Sequence, residues 1–195
     1  MADPQKRDMT ADEFLIWNLG QDQKYELVGG VPIPLRAMAG ASNYHDRIVS
    51  NLIGLLYSRL KNSRCWAATA DTALRTSIKN VRRPDVTIEC APPSDKHYES
   101  KNPIAVFEIL SPSTRGLDQT LKFNEYTRHP TLQTIVLIDP ERLEVVEYSR
   151  EPEGWLPVVL LLPEMLVAIK STAVRLSLAE IYEGVPVPAD GEQSG

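Results

Sequence analysis

The chain has 195 residues, 24% of them charged, and a net charge of -5. That length suits one domain, and a fold of this size buries roughly 70% of its unfolded surface, so it needs no disulfide or metal staple. The composition excludes collagen, a disulfide scaffold and wholesale disorder, and the acidic balance excludes a protein that attracts polyanions over its whole surface.

Residues 1–9 and 184–195 read as loose ends, the second rich in Pro and Gly. A single domain is expected over residues 10–183. Thr10-Ala11-Asp12-Glu13 is a capping box followed by Phe14, Leu15 and Trp17, which predicts a short first helix. Lys24 to Val28 and Val31 to Pro34 are extended runs around Gly29-Gly30, a hairpin signal. Ser42 caps a long helix through Leu60, with Ile48, Leu52, Leu55 and Leu56 on one buried face. Cys65 to Ser77 reads as a strand pair, and Asp85 to Ile88 as a strand opening after Pro84. Ile104 to Leu110 is nearly continuously apolar, as in the centre of a sheet. A turn at Ser111-Pro112-Ser113 leads into a helix from Leu117 to Arg128, and Ile135 to Ile138 is a second buried strand. Val145 to Tyr148 and Trp155 to Leu162 read as later strands, and Leu178 to Tyr182 as a final helical turn. Strand, helix, strand in the middle implies an α/β (α+β) core, a mixed sheet flanked by helices.

Cys65 and Cys90 form no CxxC pair and no zinc pattern with the 3 histidines, so they read as reduced, buried thiols of a cytosolic protein. The polar N-terminus lacks the apolar core of a signal peptide. The longest apolar stretch, Val158 to Ile169, is broken by Pro163 and Glu164 and falls short of the ~20 residues a membrane helix needs. A cytoplasmic protein with no membrane contact is expected.

Glu108 interrupts its apolar strand, and a charge there is costly unless paired or bound to a metal. A salt bridge is the plain reading of Glu108, and a turn aspartate that of Asp85. Together they suggest more. Their 23-residue separation allows neighbouring strands, and two convergent carboxylates suit Mg²⁺, which takes hard oxygen ligands and keeps several waters. Such an ion activates water and stabilises charge on a phosphoryl group. Asp118, Lys122 and Tyr126 follow at i, i+4 and i+8 on one helical face. They read either as an exposed ion pair with a half-buried Tyr, or as a face from which Lys122 reaches back to the carboxylates.

Arg83-Pro84-Asp85, the string Phe107-Glu108-Ile109-Leu110-Ser111-Pro112-Ser113-Thr114, and Asp118-x-x-x-Lys122-x-x-x-Tyr126 resemble the Uma-two family, a restriction-endonuclease-like branch of the PD-(D/E)XK nuclease superfamily. Tyr25-Glu26-Leu27-Val28-x-Gly30, His45 and Ile138-Asp139-Pro140 support the resemblance, which spans roughly Met9 to Trp155. It implies a restriction-endonuclease-like fold and a hydrolase, an endonuclease cleaving DNA with Mg²⁺ or Mn²⁺. It also implies Asp85, Glu108 and the Ile109 backbone carbonyl as metal ligands. The superfamily lysine two residues after the Glu is replaced by Leu110, so Lys122 is its implied counterpart. Glu26 would hold a second metal or a water, and His45 would face the site, with Asp118 and Tyr126 in support. Gly29 and Gln133-Thr134-Ile135 depart from the family's usual pattern without removing a proposed ligand.

Arg82, Arg83 and Arg128 lie close in sequence to these residues and form a candidate nucleic-acid rim. A homodimer is expected, since double-strand cutters pair two sites about a two-fold axis. The competing reading is a nuclease-fold module, weak or inactive in catalysis, that binds nucleic acid or protein.

Overall fold

A computed structural model describes residues 8–35, 43–93, 98–110 and 117–186, with Leu117 and Asp118 as backbone only. The capping box at Thr10 forms with both its bonds and starts α1 (Ala11–Asn18), which buries Ala11 and Phe14. β1 (Tyr25–Val28) and β2 (Val31–Pro34) form the expected hairpin. Its turn is made by Gly29 and Gly30 at φ 57° and 84°, the left-handed conformations a tight hairpin demands. α2 (Asn43–Arg59) buries Ile48, Leu52 and Leu56 completely. Ser42, its expected cap, and the turn at 111–113 lie outside the described residues.

The segment from Cys65 to Ser77 departs from expectation. β3 (Trp66–Thr69) and β4 (Leu74–Ser77) do not pair with each other. β4 pairs with β5 (Asn80–Arg82), a three-residue strand that the sequence did not suggest. β5 joins the first hairpin in a four-stranded sheet of order β2-β1-β5-β4. β3 instead pairs with β6 (Val86–Glu89) at the edge of the main sheet.

The main sheet continues through β7 (Pro103–Ile109), α3 (Leu117–Arg128), β8 (Thr134–Asp139), β9 (Glu144–Glu151) and β10 (Gly154–Leu160). Its order is β10-β9-β8-β7-β6-β3. Only β7 and β8 run parallel, as strands joined through a crossover helix do. β7 is therefore interior, as its apolar run predicted. A two-stranded sheet of β11 (Leu166–Ala168) and β12 (Arg175–Ser177) was not expected, because three residues are too short to show a period. It precedes α4 (Leu178–Ile181), capped reciprocally by Ser177 and Glu180.

Period-two alternation divides β7 between two cores. Ala105, Phe107 and Ile109 face the larger core with Ile48, Leu52 and Leu56 of α2. Val106 belongs to the opposite core, where Phe123 and Tyr126 of α3 pack with Ile135 and Leu137. Glu108 lies on this second face, toward α3. A third core sits under α1 and contains Met9, Phe14, Leu27 and Val81. Met9 and Val185 are thus buried rather than loose. Packing continues past both limits of the expected domain. Residues 1–7 and 187–195 lie outside the described residues. Among the described residues no helix is long and apolar enough to cross a membrane.

Glu89 closes the far end of β6. Its buried carboxylate accepts from the backbone N–H of Ala91, Lys101 and Asn102 at 2.7, 2.8 and 2.9 Å, and from the Ser100 hydroxyl. A charge with that many donors is satisfied without a counter-ion.

Cys65 and Cys90 are joined in a disulfide, not kept as free thiols. The cause is strand pairing. Trp66 pairs with Glu89, so the cysteines just beyond them stand opposite each other. A strand pair contained within Cys65 to Ser77 would have left Cys65 without Cys90 across from it; β3 pairs with β6 instead. The cytoplasmic expectation loses its support from reduced thiols. Replacing both cysteines with serine is expected to cost about 2–4 kcal/mol for a loop of this length, read as a lower midpoint in urea. Thiol titration of denatured protein should find none before reduction and both cysteines after it.

Candidate active site

The end of β7 carries the first functional side chain. Glu108 points to the face covered by α3, whose residues Gln119, Lys122, Phe123 and Tyr126 line the same cleft. These positions follow i, i+3, i+4 and i+7, one helical face. The Tyr126 hydroxyl donates to Glu108 Oε1 at 2.5 Å. Lys122 Nζ donates to Glu108 Oε2 at 3.4 Å and lies 3.5 Å from Glu26 Oε1. The lysine reaches inward, and its side chain is 14% exposed. Asp118 shares the helix backbone, and its side chain is outside the described residues.

Asp85 arrives from the neighbouring strand. Val86 pairs with Phe107, and continuing that antiparallel register sets Asp85 across from Glu108. Asp85 Oδ2 accepts from the Ile109 N–H at 2.8 Å. Its Oδ1 lies 3.2 Å from His45 Nε2, while His45 Nδ1 lies 3.5 Å from Asp46. His45 is buried in the first turn of α2, beside Asp85. For Ile109, the group engaged here is its N–H.

Glu26 sits on β1 with both oxygens held. Oε2 accepts from Arg82 at 3.1 Å, and Oε1 from the Arg83 backbone N–H at 3.0 Å. Arg82 has no exposed surface. Its guanidinium also grips Glu125 of α3 in a fork, at 2.9 and 2.7 Å. Thr76 of β4 donates to the same carboxylate at 2.5 Å. The Arg83 side chain donates to the carbonyls of Tyr25, Ala70 and Asp71 at 2.9, 3.0 and 2.8 Å. Arg82 and Arg83 are thus not a nucleic-acid rim. Arg82 ends a short buried strand and Arg83 follows it; both turn inward, where carboxylates and carbonyls take their charge. Arg128 alone of the three is exposed, at the end of α3. Glu125 and Gln119 carry no motif, and nothing in the sequence distinguished them from ordinary helix-surface residues.

The family model of Uma2, described as "Putative restriction endonuclease", matches residues 11–179. The chain belongs to the Uma2 family. Two relatives in Synechocystis sp. (strain ATCC 27184 / PCC 6803 / Kazusa) are similar along most of their length. "Uncharacterized protein slr1290" is 29% identical over 180 residues, 91% of this chain and 93% of the relative. "Uncharacterized protein sll1609" is 30% identical over 146 residues, 73% of this chain and 81% of the relative. Among solved structures, a "putative nuclease belonging to DUF820" from Anabaena variabilis ATCC 29413 superposes with a TM-score of 0.71 at 23% identity, covering 89% of this chain and 97% of that one. That likeness concerns the fold, the mixed sheet with flanking helices.

The electrostatics of the Uma2 site follow from its crowding. Burial pushes the Glu108 carboxyl up to about 7; Lys122 opposes the shift, and the charges of Asp85 and Glu26 add to it. Burial and the Glu108 charge raise the Tyr126 hydroxyl well above its ordinary value. Burial disfavours charged His45, yet Asp85 and Asp46 outweigh it and raise its pKa. Among the described residues no group of three or more His, Cys, Asp or Glu is gathered into a metal cage. Mg²⁺ does not require one, since one or two carboxylates suffice when waters complete the shell. Asp85 and Glu108, set across from each other on neighbouring strands, offer the hard oxygen donors that Mg²⁺ takes.

Two expectations follow. The free acid of Glu108 ionises near 4.5 in the unfolded chain and near 7 in the fold. Its ionisation therefore drains stability as pH rises between those values, and the loss is complete above the upper one. In EDTA at pH 8, Glu108→Gln should melt at least about 2–4 °C above wild type, the shift that 1 kcal/mol gives a chain of this size. The difference should vanish below pH 4.5. Arg82→Met removes the buried cation shared by Glu26 and Glu125 and should cost about 3–5 kcal/mol in denaturant titrations.

Proposed function

We propose that this Uma2 protein is a divalent-metal-dependent endonuclease that hydrolyses phosphodiester bonds in DNA. The observation that carries the reading is the meeting of Asp85, Glu108 and Lys122 at one end of β7, from three separate segments. Asp85 and Glu108, with the Ile109 carbonyl, would hold Mg²⁺ or Mn²⁺. An ion bound there would supply Lewis acidity toward a phosphoryl oxygen and a lowered pKa for water.

The chain's own groups have separable tasks. Lys122 places a fixed positive charge where the phosphorane gains negative charge, which is worth most in a partly desolvated site. Tyr126 holds one oxygen of Glu108, leaving the other to Lys122. The Ile109 N–H holds one oxygen of Asp85, and His45 Nε2 lies 3.2 Å from the other. Glu26 shares Lys122 with Glu108 and keeps the ammonium at the sheet. The water oxygen bonds to phosphorus as the bond from phosphorus to the sugar oxygen breaks; the water's proton passes to solvent, and the departing sugar oxygen takes one up from solvent. A two-fold pair of such sites would serve a double-strand cut, so a homodimer belongs to the same proposal.

A binding module on the nuclease fold is the second reading. It is favoured by the burial of Arg82 and Arg83, which removes two expected phosphate contacts from a chain of net charge -5. Cleavage of supercoiled DNA with Mg²⁺ or Mn²⁺ decides between them. Asp85→Asn, Glu108→Gln and Lys122→Ala should each lower the rate at least about 100-fold. Activity surviving all three would overturn the nuclease reading. A wild type that neither cleaves DNA nor takes up metal at millimolar concentration in calorimetry would establish the module.

A further inference from the structure

The cleft between the end of β7 and α3 has a volume of about 20 Å³. That is room for a single water, which also needs two to four polar partners to stay. Leu110 and Phe123 give the cleft apolar walls, and Glu108, Lys122 and Gln119 give it polar ones. Two of these polar groups are already engaged, since Lys122 and Tyr126 both donate to Glu108. The Gln119 side chain makes no hydrogen bond among the described residues. A half-buried amide beside a carboxylate and an ammonium has capacity left for a ligand with both donors and acceptors.

We infer that this cleft is a water site and that Gln119 is a positioning residue which orients the water. The orientation rests on counting hydrogen-bond capacity. Glu108 can only accept from the water when ionised, and Lys122 can only donate to it. With those two alone the water still swivels about the remaining directions. The Gln119 amide oxygen accepts the second proton and fixes the molecule. Two protons and one lone pair are then committed, and one lone pair remains for an electrophile. The catalytic use of that lone pair rests on the nuclease reading above, in which phosphorus is the electrophile. The existence of the water does not.

The test has a structural arm and a kinetic arm. A high-resolution crystal structure of the wild type should contain one ordered water within hydrogen-bonding distance of Glu108, Lys122 and Gln119, and that of Gln119→Leu should lack it. On DNA with Mg²⁺, Gln119→Leu should lower kcat about 10- to 100-fold, as expected when a reacting group is no longer aligned. DNA affinity should stay unchanged, and a melting curve matching wild type shows that the variant folds. A dry cleft in the wild type overturns the inference. So does a cleaving wild type whose kcat survives in Gln119→Leu, or a loss that appears only in affinity. A wild type that holds the water but cleaves no DNA overturns the orienting role together with the nuclease reading, and leaves the water site standing.

Discussion

The guanidinium of Arg82 is closed off from solvent and shared between Glu26 of β1 and Glu125 of α3. Burial opposes a charged group there, yet Glu125 and Glu26 outweigh it and hold the arginine firmly charged. Buried ion pairs rarely add net stability over apolar packing of the same volume. What this one supplies is position. Its planar fork fixes Glu125 in two directions at once, and Glu125 lies between Lys122 and Tyr126 on α3. The helix that carries the lysine is therefore pinned in azimuth by a strand of the smaller sheet. Without that pin, apolar packing of Phe123 and Tyr126 alone would set the helix, and apolar packing is tolerant of small rotations.

The same constraint orders the charges around it. Glu26, Asp85, Glu108 and Glu125 approach from β1, from the loop before β6, from β7 and from α3. Arg82 and Lys122 are the cations set among them. Arg82 is spent on structure, holding the two outer carboxylates. Lys122 is held between Glu26 and Glu108, at comparable distances from both. A lysine so shared is a point charge set between two carboxylates at one end of β7.

Legibility in the sequence divides along one physical line. Features set by local periodicity or capping were readable. The box at Thr10, the Gly29-Gly30 turn, the apolar run of β7 and the face shared by Lys122 and Tyr126 all report their environment within a few residues. Features set by which strand pairs with which were not. Cys65 meets Cys90 only because β3 skips β4 and joins β6. Arg82 looked like a surface base beside Arg83, and became a core residue because a three-residue strand inserts it beside Glu26. Strands that short have no period to detect, and a buried arginine is rare enough that composition argues against it. The carboxylate at Glu108 was found because it broke a pattern. Gln119 and Glu125 broke none and stayed invisible until the helix was docked.

The net charge of -5 acquires a different meaning once these positions are known. Part of the acidity is internal, in Glu26, Glu89 and Glu108, where it shapes sites and loops rather than the outer surface. The two fates of these carboxylates are distinct. Glu89 is saturated by backbone donors and needs nothing further. Glu108 has a tyrosine and a distant lysine, and it stays easier to protonate than an ordinary glutamate. The fold thus contains one buried carboxylate that is finished and one that is not. Unfinished electrostatics cost stability, and proteins keep that cost where a ligand or a reaction repays it. The contrast between two glutamates on adjacent strands is therefore a better guide to the site than the overall charge.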